Sequence, residues 1–438
     1  MKLFTSTENE KWVEGEIRSE KFDSCDLKIE TEKRQTMMGF GGCFNELGQL
    51  GLDTLTEDER AGIFDCFFGP DSELRFDFCR LPVGASDYAA EWYSHNETDG
   101  DFAMEHFSID RDKKILIPYI KEALRRNPEL TLFASPWSPP AWLKHPKAYN
   151  HGTLVWKPEY LKAYALYFVK FIQAYAAEGI PIHQLHVQNE MFSDQKFPSC
   201  VWTAEQLAEF IEVYLDPAFQ KHKINTEIWL GTMNGGSDAQ TDFDTFAFKI
   251  LNSPASRCIK GVAYQWGGKD SVRRQAECFP QIPIIQSENE CGDGQNSWAY
   301  AKYIYRLSRR YITNGVCAYV YWNMILNSRN GCSTWGWRQN CMVSIENGQA
   351  QYNHEYYIFK HLCRFVGKGA VRRKLSGLFS GMSVAFETPA GQKVILVHNP
   401  LDRAFELCVD ADGQTAKAVL PPDSVSTIVF DEPGRTSL

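Results

Sequence analysis

The chain has 438 residues. Typical domains run to about 100–200, so roughly three are expected, although one (β/α)8 barrel alone can take about 250. Hydrophobic residues make up 44% and charged residues 23%, which excludes a disordered or fibrous protein. No run approaches the ~18 apolar residues of a membrane span, and a formal charge of −9 makes nucleic acid or an anionic membrane surface a poor partner.

The segment Met1–Glu10 lacks the apolar core of a secretory signal. Thirteen cysteines, an odd number without paired spacing, fit a reducing compartment, and the expected location is cytoplasmic. The nearest pair in sequence, Cys332 and Cys341, has no histidine cluster beside it to suggest zinc. Residues 9–36 contain no convincing helix and carry alternating segments such as Cys25–Glu30.

From residue 37, short β-rich apolar runs alternate with helical patterns. The predicted strands are Met38–Cys43, Leu74–Pro82, Leu130–Pro136, His183–Gln188, Glu227–Met233, Ile259–Trp266, Pro283–Ser287 and Val316–Trp322. Leu161, Tyr164, Phe168, Phe171 and Tyr175, at spacings of three and four, predict a helix over Lys157–Glu178. Thr203 followed by Gln206 predicts a capping box for the next helix. Eight such units imply an α/β fold, a parallel (β/α)8 barrel. Beyond it come five more strand signals, Met382–Phe386, Lys393–His398, Ala404–Val409, Ala416–Leu420 and Val425–Phe430, separated by turn residues. The expected division is N-terminal strands (1–36), barrel (37–367) and C-terminal β-sandwich (368–438), with the N-terminal strands completing the sandwich.

Parallel barrels carry their active sites at the C-terminal ends of the strands. Strand four ends Val187-Gln188-Asn189-Glu190, and strand seven ends Gln286-Ser287-Glu288-Asn289-Glu290. Two carboxylates at one barrel mouth suit glycoside hydrolysis, in which one protonates the leaving oxygen and the other attacks or activates water. Strand alternation does not separate Glu288 from Glu290. Twelve tryptophans, many in loop-like contexts, suit stacking on flat uncharged ligands.

At these residues the chain resembles glycoside hydrolase family 30, over nearly its whole length. Gly39-Phe40-Gly41-Gly42 is similar to the family's opening motif, Arg80–Tyr88 to its second-strand segment, and Ala134–Lys144 to its most specific signature, after strand three. Gln188-Asn189-Glu190, Ser287-Glu288 and Tyr321-Trp322-Asn323 resemble the ends of strands four, seven and eight. The resemblance implies a retaining β-glycosidase with Glu190 as acid/base and Glu288 as nucleophile. It also implies that Arg80 supports the nucleophile, that Trp137 and Trp322 wall the sugar pocket, and that Glu46, Asn189, Gln265 and Asn340 contact substrate. No cofactor or metal is implied. The expected partner is a small neutral carbohydrate or glycoside, most simply an exo-cleaved β-glucoside; nothing fixes the oligomeric state.

Strand six departs from the glucosylceramidase type of the family, ending Tyr264-Gln265-Trp266-Gly267 where that type has a histidine and an aromatic residue. Other specificities of the family therefore stand as alternatives: β-1,6-glucanase, β-xylosidase or β-fucosidase. An inactive carbohydrate-binding protein is a further alternative. The Gly39–Gly42 run lacks the lysine and hydroxyl residue of a phosphate loop. His183 and His186, three apart on a strand, face opposite ways and suit no shared metal.

Overall fold

A computed structural model describes residues 1–22, 24–236, 245–327 and 336–431. Cys332 lies outside the described residues. Eight parallel strands close into a barrel: Gly39–Cys43, Phe78–Pro82, Thr131–Ser135, Gln184–His186, Glu227–Met233, Ile259–Gln265, Ile284–Glu288 and Val316–Asn323. All eight lie within or overlap the predicted runs, because a strand buried on both faces reads as a short apolar block. Inside the barrel, Phe78, Phe133, Trp229, Ile285 and Val320 form one packed cluster. Gly261 makes room there, since a Cβ at that position would lie 2.2 Å from the Trp229 ring. His186 stacks between Phe133 and Trp229, and His183 Nδ1 accepts the Leu132 N–H, so both histidines serve structure.

The helix Pro158–Ala177 buries the predicted stripe against the barrel. Thr203 and Gln206 form the predicted capping box.

Ten of the remaining strands form one sheet that makes the β-sandwich around a second core, including Leu3, Leu27, Ile395, Val409 and Ile428. Four of its strands, Lys2–Ser6, Val13–Glu14, Ile17–Ser19 and Leu27–Thr36, come from the N-terminus. Lys2–Ser6 lies antiparallel to Ser424–Phe430, and Leu27–Thr36 lies between Val371–Ser376 and Phe405–Ala411. The strand Val371–Ser376 escapes a hydrophobic reading because its sequence is Val-Arg-Arg-Lys-Leu-Ser. Its Arg373 is buried in ion pairs with Glu387 and Asp412. A small sheet after barrel strand eight (Ile325–Asn327, Val343–Glu346, Gln349–Tyr352) was also unanticipated.

Sandwich and barrel meet at His361, whose ring nitrogens lie 2.9 Å from Ser6 Oγ and Thr427 Oγ1. Burial pushes this imidazole down to about 3, so it stays neutral in the joint. Burial of Leu3 alone contributes about 1.5–3 kcal/mol. Deleting residues 1–30 is therefore expected to expose sandwich core and give insoluble protein. A soluble truncation with full activity would contradict this account of the sheet.

Candidate active site

Arg80, in strand two, is fully buried, yet its guanidinium is surrounded by acceptors from four other strands or their ends. Nε donates to Ser135 Oγ at 3.0 Å, and Nη1 donates to Glu288 Oε2. Nη2 donates to Asn189 Oδ1 at 2.6 Å and to Thr232 Oγ1 at 3.2 Å. Its flat face lies 4.5 Å from the Trp137 ring centre and 5.5 Å from that of Trp322. A guanidinium suits this position because its donors form a planar fork and its faces stack on aromatic rings.

Glu288 ends strand seven and is buried. Its Oε2 also accepts Gln265 Nε2 at 3.1 Å. Its Oε1 accepts the Cys291 thiol at 3.9 Å. Burial raises the Glu288 carboxyl, and the Arg80 charge opposes that rise. Glu290 lies beyond the strand, and its carbonyl accepts the Tyr300 hydroxyl at 2.9 Å.

Glu190 follows strand four in the left-handed region, with φ +49°. Its N–H donates to Thr232 O at 2.9 Å, and its carbonyl accepts Ser193 N at 2.8 Å, which holds the turn that aims the side chain. Burial, then the nearby Glu288 charge, pushes the Glu190 carboxyl up to about 7. Arg80 therefore sets the two acids apart, because it contacts Glu288 directly.

Asn189 is buried beside them, with Oδ1 accepting from Arg80, Thr232 Oγ1 at 2.9 Å and Gln265 Nε2 at 2.8 Å. Three donors on one oxygen leave Nδ2 as the group free to meet a ligand. Gln265 is buried with Nε2 shared among Asn189, Thr232 and Glu288, while its Oε1 has no protein partner. Trp137 and Trp322 are buried with ring centres 5.3 Å apart, and the Trp322 indole N–H finds no protein acceptor.

Two predicted contacts are not brought into this group. Glu46 is buried, but its oxygens take a two-pronged bond from Arg111 (3.1 and 3.2 Å) and the Ala90 N–H. Asn340 donates to Glu355 Oε1 and accepts the N–H groups of Gly294 and Asn296. Both side chains thereby fasten neighbouring loops beside the barrel mouth.

Asp87 is the carboxyl that sequence reasoning missed. It is buried, its Oδ1 has no protein partner, and both Glu288 and Glu190 are close enough to raise it. Burial is the larger cause, and together they hold the Asp87 carboxyl well above its ordinary value. Thr232, which links Asn189 to Arg80, was also missed. Among the described residues no group of three or more His, Cys, Asp or Glu side chains is arranged to hold a metal ion.

A sequence profile described as "Glycosyl hydrolase family 30 TIM-barrel domain" matches residues 37–366, and one described as the family's beta sandwich domain matches residues 369–428. The chain is 30% identical over 407 residues to "Putative glucosylceramidase 1" of Caenorhabditis elegans, covering 87% of this chain and 77% of that protein. The solved structure of SrfJ from Salmonella typhimurium superposes with a TM-score of 0.89 at 25% identity, covering 98% and 99% of the two chains. That of an endo-beta1,6-glucanase superposes with a TM-score of 0.87 at 25% identity and the same coverage.

Replacing Arg80 by methionine should leave Glu288 buried without its cation, at a cost of about 3–5 kcal/mol near neutral pH. Without Arg80 the folded Glu288 carboxyl rises further above its unfolded value, so the deficit should grow as pH rises through that interval. It should shrink as pH falls and vanish only below the unfolded value of 4.5, where the carboxyl is protonated in both states. Chemical denaturation of both proteins at pH 5 and pH 7.5 checks this; an equal gap at the two values would contradict it.

Proposed function

Since the chain belongs to glycosyl hydrolase family 30 and is a glycosyl hydrolase of β-glycosidase type, we propose that it is a retaining exo-acting enzyme. It removes a terminal neutral β-glucosyl unit by double displacement. Glu288 is the nucleophile and Glu190 the acid/base. The observation that carries this reading is the asymmetry imposed by Arg80. Glu288 Oε2 is held by Arg80 and Gln265, which leaves Oε1 to attack the anomeric carbon. Glu190, raised to about 7, keeps its proton for the leaving oxygen. Once the aglycone departs, the ionised Glu190 takes a proton from water, which releases the sugar from Glu288.

Trp137 and Trp322 present apolar faces to the sugar, and Asn189 Nδ2 suits the 2-hydroxyl. Asp87 takes the role expected of Glu46, because its free Oδ1 can accept a glycone hydroxyl. The ionised Glu288 disfavours a sugar acid, since two carboxylates repel strongly in low dielectric. A second reading, internal cleavage of β-1,6-glucan, is favoured by the similarity to the solved endo-glucanase. No helix among the described residues is long and apolar enough to cross a membrane. The twelve described cysteines are all free, which supports a cytoplasmic location.

Glu288→Gln should abolish turnover, whereas Glu190→Ala should retain activity on substrates with an activated leaving group. In the wild type, kcat/KM should fall as pH rises through about 7, as Glu190 loses its proton. Proton NMR of the first-formed product should show the β-anomer, and an α-anomer would rule out retention. Chelators should have no effect.

Asp87→Ala should lose about 1–3 kcal/mol of transition-state binding. Glu46→Ala should lower thermal stability more than it alters KM. On β-linked oligosaccharides, monosaccharide should be the first product. Internal fragments appearing before it would favour the glucanase reading, and a preference for glucuronides would contradict the neutral pocket.

A further inference from the structure

Lys144 closes the segment Ala134–Lys144, and its side chain is buried. It begins a short hairpin on the barrel mouth, where Lys144–His145 pairs with Thr153–Leu154. Instead of meeting a carboxylate, its ammonium donates to two backbone carbonyls, Tyr149 O at 2.8 Å and Ser199 O at 2.6 Å. Tyr149 belongs to the same hairpin. Ser199 belongs to the loop that leaves Glu190.

The contact is one of several along the same seam. Ser199 N donates to Tyr149 O, and Val201 N donates to Gly152 O. Ser199 Oγ accepts the N–H groups of His151 and Gln195, and Asp194 Oδ1 accepts that of Gly152. The loop then closes on itself, with Trp202 N donating to Met191 O. Near its start, Ser193 donates from its backbone to Glu190 O, and its hydroxyl accepts Asn234 Nδ2 at 2.6 Å.

We propose that Lys144 is a positioning residue for the acid/base: by tying the strand-three hairpin to the loop after strand four, it holds the Glu190 carboxyl at the leaving oxygen. The inference rests on Glu190 being the acid. Lys144 is not among the groups that shift the Glu190 carboxyl, so its influence passes through the backbone rather than through charge. The nucleophile, on strand seven, is held by Arg80 and Gln265 and does not depend on this seam.

Loosening the acid while sparing the nucleophile has a kinetic signature. General-acid assistance matters most for poor leaving groups, where it is worth roughly 100- to 10,000-fold, and least for activated ones. The experiment compares the wild type with Lys144→Met, Lys144→Arg, Ser199→Ala and Glu190→Ala on a series of aryl β-glycosides of rising leaving-group pKa. Thermal melts are recorded alongside.

Lys144→Met is expected to lose about 10- to 100-fold on the poorest leaving group and little on the dinitrophenyl glycoside. Lys144→Arg should recover part of the loss. Ser199→Ala, which weakens the same seam, should show the same gradient to a lesser degree, and it carries the test if Lys144→Met does not fold. A uniform loss across the series, or none, for the folded seam variants would overturn the proposal while Glu190→Ala keeps its gradient. A flat Glu190→Ala profile would instead show that Glu190 is not the acid, and the proposal would fall with that reading.

Discussion

One buried guanidinium organises the barrel mouth. Arg80 is fully buried, and such a charge is tolerated only where its donors are satisfied and a counter-charge is in contact. Ser135, Asn189, Thr232 and Glu288 meet those demands, and two tryptophan faces cover its plane. The requirement runs both ways. Once strands three, four, five and seven must each present a group to the guanidinium of strand two, the closure of the barrel and the placement of Glu288 become one constraint.

The same interaction separates two acids that burial alone would treat alike. Both glutamates are raised by loss of water. Glu288 has a cation in direct contact, whereas Glu190 faces chiefly the negative charge of its neighbour. A difference in protonation between two residues of one type follows from which of them touches the arginine. Gln265 reinforces the arrangement as a neutral donor to Glu288 and Asn189, adding no charge of its own.

Much of this was legible in the sequence because barrel strands announce themselves as short apolar blocks, and the residue that ends each block points to the mouth. Glu190, Glu288, Asn189 and Trp322 lie at or just past strand ends, and Arg80 lies inside one. Asp87 does not: it sits in the long loop after strand two, where nothing local distinguishes a pocket carboxyl from a solvated one. The loop-fastening bonds of Glu46 and Asn340 were hidden for the complementary reason. Their partners, Arg111 and Glu355, are 65 and 15 residues away, and pairing at that range is set by loop paths rather than by spacing. The strand Val371–Ser376 was hidden by charge, since its buried Arg373 is compensated by Glu387 and Asp412 on other strands.

Everything proposed for this site turns on whether the Arg80-bound carboxylate is the one that attacks. A 2-deoxy-2-fluoro-β-glucosyl donor with an activated leaving group slows release of the sugar and leaves it on the nucleophile. Peptide mass spectrometry of the trapped protein is predicted to place the fluorosugar on Glu288. A label on Glu190 or Asp87, or turnover without any covalent label, would contradict it.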